Sequence, residues 1–229
     1  GNIISYDASG DPVAIATGND GQVLTSAGAG QPCAFEAAAG GSWTKITTVT
    51  ASSDSTIEFV NGAASVTLDG TYKQYRINII NVHPSASGSY FQVNFTSDAG
   101  SNWNVTKTSA PLYSYLKEDA SSYTNYATHE YNVDTTSGTG VAYLSASKAM
   151  GNDNEDNLSG ELKIWNPADT TYHKFFSSEC MWIDDTGTEF LGHCMVYAKL
   201  ETTSAVDGIQ FKMSTGNIDA GTFILYGLT

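Results

Sequence analysis

Positive charge is what this sequence has least of. Ten Lys and Arg stand against 24 Asp and Glu in 229 residues, a formal net charge of -14, and no basic residue precedes Lys45. Phosphate backbones and anionic lipid surfaces repel such a chain, which argues against nucleic acid and acidic membranes as partners. No apolar run approaches the roughly 20 residues of a membrane-spanning helix, so no membrane insertion is expected. There is no signal-peptide pattern at the start. The chain begins at Gly1 rather than Met, and further residues are expected upstream.

Cysteine is nearly as scarce. Cys33, Cys180 and Cys194 are an odd, sparse set that supplies neither a disulfide framework nor a CxxC metal signature. The four histidines, His83, His129, His173 and His193, lack the spacing that would make metal ligands converge, and each reads as a structural or surface residue. A GxSxG elbow and a Gly-rich phosphate loop ahead of a helix are both missing. The carboxylate pairs Glu118-Asp119 and Asp184-Asp185 are sequence neighbours in loops. Neighbouring side chains rarely flank one glycosidic bond at the ~5 to 9 Å that hydrolysis needs. The acidic run Asn152 to Asn157 resembles half of a calcium loop but lacks the sixth-position Gly and twelfth-position Glu, and reads as a solvated loop. No enzyme, no metal and no cofactor are expected.

What is present is strand. Only 15% of residues are charged, while Ser, Thr, Asn and Gly dominate the polar ones, a composition suited to β surfaces and turns. Tyr75, Ile77 and Ile79 alternate with Gln74, Arg76 and Asn78, so Tyr72 to Val82 predicts a strand ended by His83-Pro84. Phe91, Val93 and Phe95 repeat the pattern, with Gln92 and Asn94 expected outward. Trp43 to Phe59 predicts two strands with a turn at Ala51 to Ser55. Further candidates are Leu112 to Leu116, Val141 to Ser145 and Gly160 to Trp165.

Lys174 to Ile183 and Phe190 to Leu200 predict a hairpin around Asp184 to Gly187. Symmetry about Gly187 sets Cys180 opposite Cys194, either as two packed thiols or as a strained cross-strand disulfide. At the end of the chain, Ile209, Phe211 and Met213 alternate with Gln210 and Lys212, and Thr222 to Leu228 is β-branched, aromatic and apolar; a closing hairpin is expected. This makes about nine or ten short strands, and no helix signal exceeds one or two turns. The predicted fold is all-β, an antiparallel jelly-roll-like β-sandwich head spanning 43–229, with 37–42 as a joint.

Residues 1–36 differ from the rest. Their apolar side chains, Ile3, Ile4, Tyr6, Val13, Ile15, Val23 and Leu24, come in small groups between turn signals at Ser9-Gly10-Asp11-Pro12 and Asn19-Asp20-Gly21. So few large side chains cannot offset a backbone ordering cost of roughly 1 to 2 kcal/mol per residue. The strip is either disordered or made of short strands that complete a core with copies of themselves about a threefold axis.

Gly1 to Asp7, Gly10-Asp11-Pro12-Val13-Ala14 and Gly18 to Ser26, followed by Pro32 and Phe35, resemble the linker-shaft unit of bacteriophage fibre proteins. The closing GIQFKMSTGNIDAGTFILYGL is similar to the last strand pair of C-terminal β domains in fibres of marine, cyanophage-like phages. The resemblance implies a structural virion protein: a homotrimeric fibre with a short intertwined N-terminal β shaft and a distal β-sandwich. Its partners would be itself, other virion tail or capsid proteins, and a host cell-surface glycan or protein, with its place on the virion and outside the cell. Two rivals accompany it, a capsid-decorating or purely structural fibre without receptor binding, and a glycan depolymerase spike.

The stretch Tyr113 to Tyr131, YSYLKEDASSYTNYATHEY, sets five tyrosines beside acids, amides and His129. Aromatic faces stack on sugars or on apolar protein surface, while adjacent polar groups orient hydroxyls. The same tyrosines also suit a sandwich rim or a subunit interface. Trp103, Tyr123 and Tyr126 are the expected receptor contacts.

Overall fold

In the computed structural model, residues 2–37, 43–117, 119, 121–128, 135–146, 149–184 and 190–228 are described, with the side chains of 123–128, 135 and 136 left aside. All regular structure among them is β-strand. The chain forms two compact units, 1–42 and 43–229.

The first unit is two hairpins. β1 (Ile3–Tyr6) pairs with β2 (Pro12–Ile15), and β3 (Gln22–Thr25) with β4 (Ala34–Ala37). The predicted turns are where they form. The Asp7 carboxylate accepts the backbone N–H of Ser9 (2.8 Å) and of Asp11 (3.0 Å), and Gly10 and Gly21 take positive φ. Within one chain, then, the strands pair with each other. Ile15 is buried, whereas Ile4 and Tyr6 are 69% and 64% exposed, and Ile3, Val23 and Leu24 are exposed too. Ala37 ends β4; the rest of the expected joint, 38–42, lies outside the described residues.

The second unit is an antiparallel sandwich of β5 (Trp43–Asp54), β6 (Ile57–Val60), β7 (Gln74–Pro84), β8 (Phe91–Thr96), β9 (Lys107–Lys117), β10 (Tyr123–Thr128), β11 (Thr135–Gly138), β12 (Ala142–Tyr143), β13 (Leu158–Trp165), β14 (Lys174–Asp184), β15 (Phe190–Leu200), β16 (Gly208–Met213) and β17 (Ile218–Leu228). The larger sheet runs β10-β9-β15-β14-β13-β7-β17-β5, with β11 also on β9, and the smaller runs β12-β8-β16-β6. Leaving β9–β11 and β14–β15 aside, four strands (β5-β17-β7-β13) face four (β6-β16-β8-β12). The chain crosses between the sheets in jelly-roll order. The two omitted groups are excursions that widen one sheet only.

The two inner faces meet in aromatic contacts. Phe223 lies 6.2 Å from Phe91 and 5.4 Å from Phe211, and Phe95 lies 4.8 Å from Phe176, ring centre to ring centre. As predicted, Tyr75, Ile77 and Ile79 point inward, as do Leu162 and Ile164. Asn81 adopts a φ of 50°, a bulge that lets Val82 and Pro84 take over the inward positions, so the strand continues through Pro84.

Four expectations are corrected. The terminal strands form no hairpin: β16 pairs with β6 and β8, β17 with β5 and β7, in opposite sheets. The apolar sets of both strands face each other across the core, and Asn217 fixes the crossing. It accepts the Ser85 N–H (3.0 Å) and donates from Nδ2 to the Ser53 carbonyl (2.9 Å). The first head strand likewise runs through the expected turn to Asp54, and β6 starts in the other sheet. Gln92 and Asn94 point outward but are buried, because the loops after β8 and before β12 fold over them; Asn94 Nδ2 donates to the carbonyls of Trp103 (2.6 Å) and Thr139 (3.3 Å). Thirteen described strands occupy the head where nine or ten were expected.

Candidate functional site

Of the expected receptor contacts, Trp103 belongs to the cover of the smaller sheet. A Cβ added at Gly208 would lie 3.2 Å from its ring and one at Gly100 3.7 Å away, so the indole rests on bare backbone. Tyr123 and Tyr126 fall on β10, the edge strand beside β9, and their side chains lie outside the described residues, as do Glu118, Tyr131, His129 and Asp185. Asp184 is buried, Asp119 exposed. The 152–157 loop closes on itself through Asp156 N–H to Asp153 O (2.9 Å) and Asp153 N–H to Asp156 Oδ2 (3.0 Å). Among the described residues no group of three His, Cys, Asp or Glu is placed to hold a metal ion.

The structure instead gathers apolar side chains on the outer face of the larger sheet. In the ladder Trp165 pairs with Phe175, Phe175 with Lys199, Ser177 with Tyr197, and Tyr197 with Ala110. Directly paired residues point the same way. Together they line a shallow groove of about 400 Å³. Phe175 and Tyr197 are 57% and 59% exposed on this face. Towards the other end of the same strands lie Met181, Leu191 and Leu116, also exposed, with Leu191 paired to Leu116.

The acids on this face have close partners. Glu161 hydrogen-bonds to Lys163 on its own strand, and His193 Nε2 lies 2.9 Å from Glu179 Oε1. At the groove rim, Ser137 and Thr108 hydroxyls donate to Glu201 (2.6 Å each) and Lys199 Nζ is 3.2 Å away. These contacts hold the Glu201 carboxyl down at about 2.

Sequence reading passed over this face because its residues were taken one strand at a time. A signal was there: in β14 and β15, Phe175, Met181, Ile183, Leu191, Met195 and Tyr197 occupy the positions that alternate with the core set.

Fold and site together define a jelly-roll sandwich with an enlarged sheet that exposes apolar side chains on its outer face. The chain matches no family model, and neither curated proteins nor solved structures show a significant similarity to it.

Proposed function

We propose that the chain is a structural subunit of a homotrimeric bacteriophage-type fibre. In it residues 1–36 wind with two other copies into a shaft, and the sandwich, 43–229, attaches to a host-surface glycan or protein. One observation carries the reading: the first unit pairs its own strands yet leaves Ile3, Ile4, Tyr6, Val23 and Leu24 exposed. Ile15 is the one large apolar side chain buried among the described residues of that unit, too little for an interior, and copies around a shared axis supply one. Three heads then multiply weak contacts by avidity. The work is binding, with no bond broken. Tyr123 and Tyr126, on the edge strand β10, are the contacts assigned to attachment.

The test is the mass of the full chain in solution by sedimentation equilibrium, for the natural sequence and for Ile4→Asp with Tyr6→Asp. A trimer that the double variant dissociates supports the shaft. An unchanged mass in the variant removes it. Imaging of intact virions with a labelled antibody locates the protein, and Tyr123→Ala with Tyr126→Ala should lower cell attachment.

A further inference from the structure

We propose that the outer face of β13, β14, β15 and β9 is the surface by which one head packs against the head of another copy of this chain. The inference stands on the head alone and holds or fails independently of the shaft.

The side chains argue for protein rather than sugar. A glycan platform needs aromatic faces with hydroxyl-orienting groups between them. Here Phe175, Tyr197 and Trp165 share the face with Leu191, Met181 and Leu116, aliphatic and thioether groups with nothing to offer a hydroxyl, and the charged groups between them are engaged with each other, Glu161 with Lys163 and Glu179 with His193. Aromatic and Met enrichment with depleted charge is the composition of an interface core.

Charge argues for a copy of the same chain. Subunits of net charge -14 repel each other wherever their acids face. Of the 24 Asp and Glu, Glu161 and Glu179 are the two that these four strands turn outward, and each has a cationic or ionisable neighbour in Lys163 or His193. This is the face on which two acidic copies meet without accumulating negative charge.

Area argues the same way. Three of the strands are 11 residues long. At about 4.8 Å between strands and about 3.3 Å per residue, the four-strand face covers roughly 600 Å². A stable interface takes about 800 Å² per partner, a size that the face and its rim approach. Elsewhere several apolar outer groups are covered, Trp103 and its loop lying over the smaller sheet and the Arg76 guanidinium 4.4 Å over Trp43 and 5.3 Å over Tyr226, while the exposed ones, Ile80 and Tyr172, stand singly. The exposed face is carried largely by β9, β14 and β15, the strands added to the eight-strand jelly roll.

The test places photoreactive p-benzoylphenylalanine at Tyr197 of the full chain, with the same group at Tyr172, in the loop before β14, as control. Illumination should join two chains covalently from position 197, with the cross-link mapped by mass spectrometry to residues of the same four strands, and should give no mapped product on that face from position 172. Phe175→Glu with Tyr197→Glu should weaken head association roughly a hundredfold or more, since charge replaces central anchors. The Ile4→Asp, Tyr6→Asp variant is run alongside, so that a failed shaft and a failed face give different patterns. A monomeric natural chain, an assembly without the 197 cross-link, or a monomer that retains polysaccharide through this face overturns the proposal.

Discussion

Cys180 and Cys194 stand directly opposite each other in the β14–β15 ladder, both fully buried and both free thiols. Ser178 Oγ is 3.4 Å from Cys180 Sγ, and Gly160, paired with Cys180 on the other side, leaves the room that the sulfur fills. Burial pushes both thiols up to about 12. In the native protein a thiol reagent should therefore modify Cys33, which is half-buried, and reach the other two only on unfolding. Labelling of all three at one rate would contradict this. Between about pH 9 and 12 the unfolded chain releases thiol protons that the folded chain keeps, so stability present below pH 9 is lost as pH rises. Denaturant titrations of the natural chain and of Cys180→Ala with Cys194→Ala should show the steeper alkaline loss in the former.

Gly192 leaves its place to the Trp182 indole. The two are partners in the ladder, and a Cβ at Gly192 would lie 2.5 Å from the ring. Gly192→Ala should cost about 1 to 3 kcal/mol, because a fully packed indole between two sheets has nowhere to move. Urea unfolding followed by tryptophan fluorescence measures it; a loss below about 0.5 kcal/mol would show that the ring moves aside.

Lys107 is buried, and among the described residues no acid pairs with its ammonium. Its Nζ donates to Asn94 Oδ1 (2.6 Å) and the Gly140 carbonyl (2.5 Å), and burial lowers its pKa to about 8. From about pH 8 to 10.5 the unfolded chain holds a proton that the folded chain gives up, so this group makes stability rise with pH. Relative to Lys107→Met, the natural chain should gain about 2 to 3 kcal/mol over that window. Parallel pH profiles would refute the assignment.

Trp103→Ala should lower stability by about 2 kcal/mol, since the indole covers Gly208 and Gly100. The measurement is thermal unfolding with attachment assayed in parallel. Reduced attachment with an unchanged melting point would give Trp103 the receptor contact expected from sequence instead of a structural role.

Alternation along single strands determined much of this protein from sequence. It gave the all-β class, the inward sets of β7, β8 and β13, and the β14–β15 pairing down to Cys180 opposite Cys194. Those features depend on a period of two and on turn chemistry, both local. Which sheet a strand joins is not local. The last two strands read as a hairpin because a short turn-rich link separates them, yet Phe211 and Phe223 gain more by facing each other across the core than by lying side by side. The outer faces were likewise decided only in three dimensions. Gln92 and Asn94 look wet in sequence and are dry under loops, while Leu191 and Tyr197 meet Leu116 and Ala110 on one face only when β9, far off in sequence, pairs with β15.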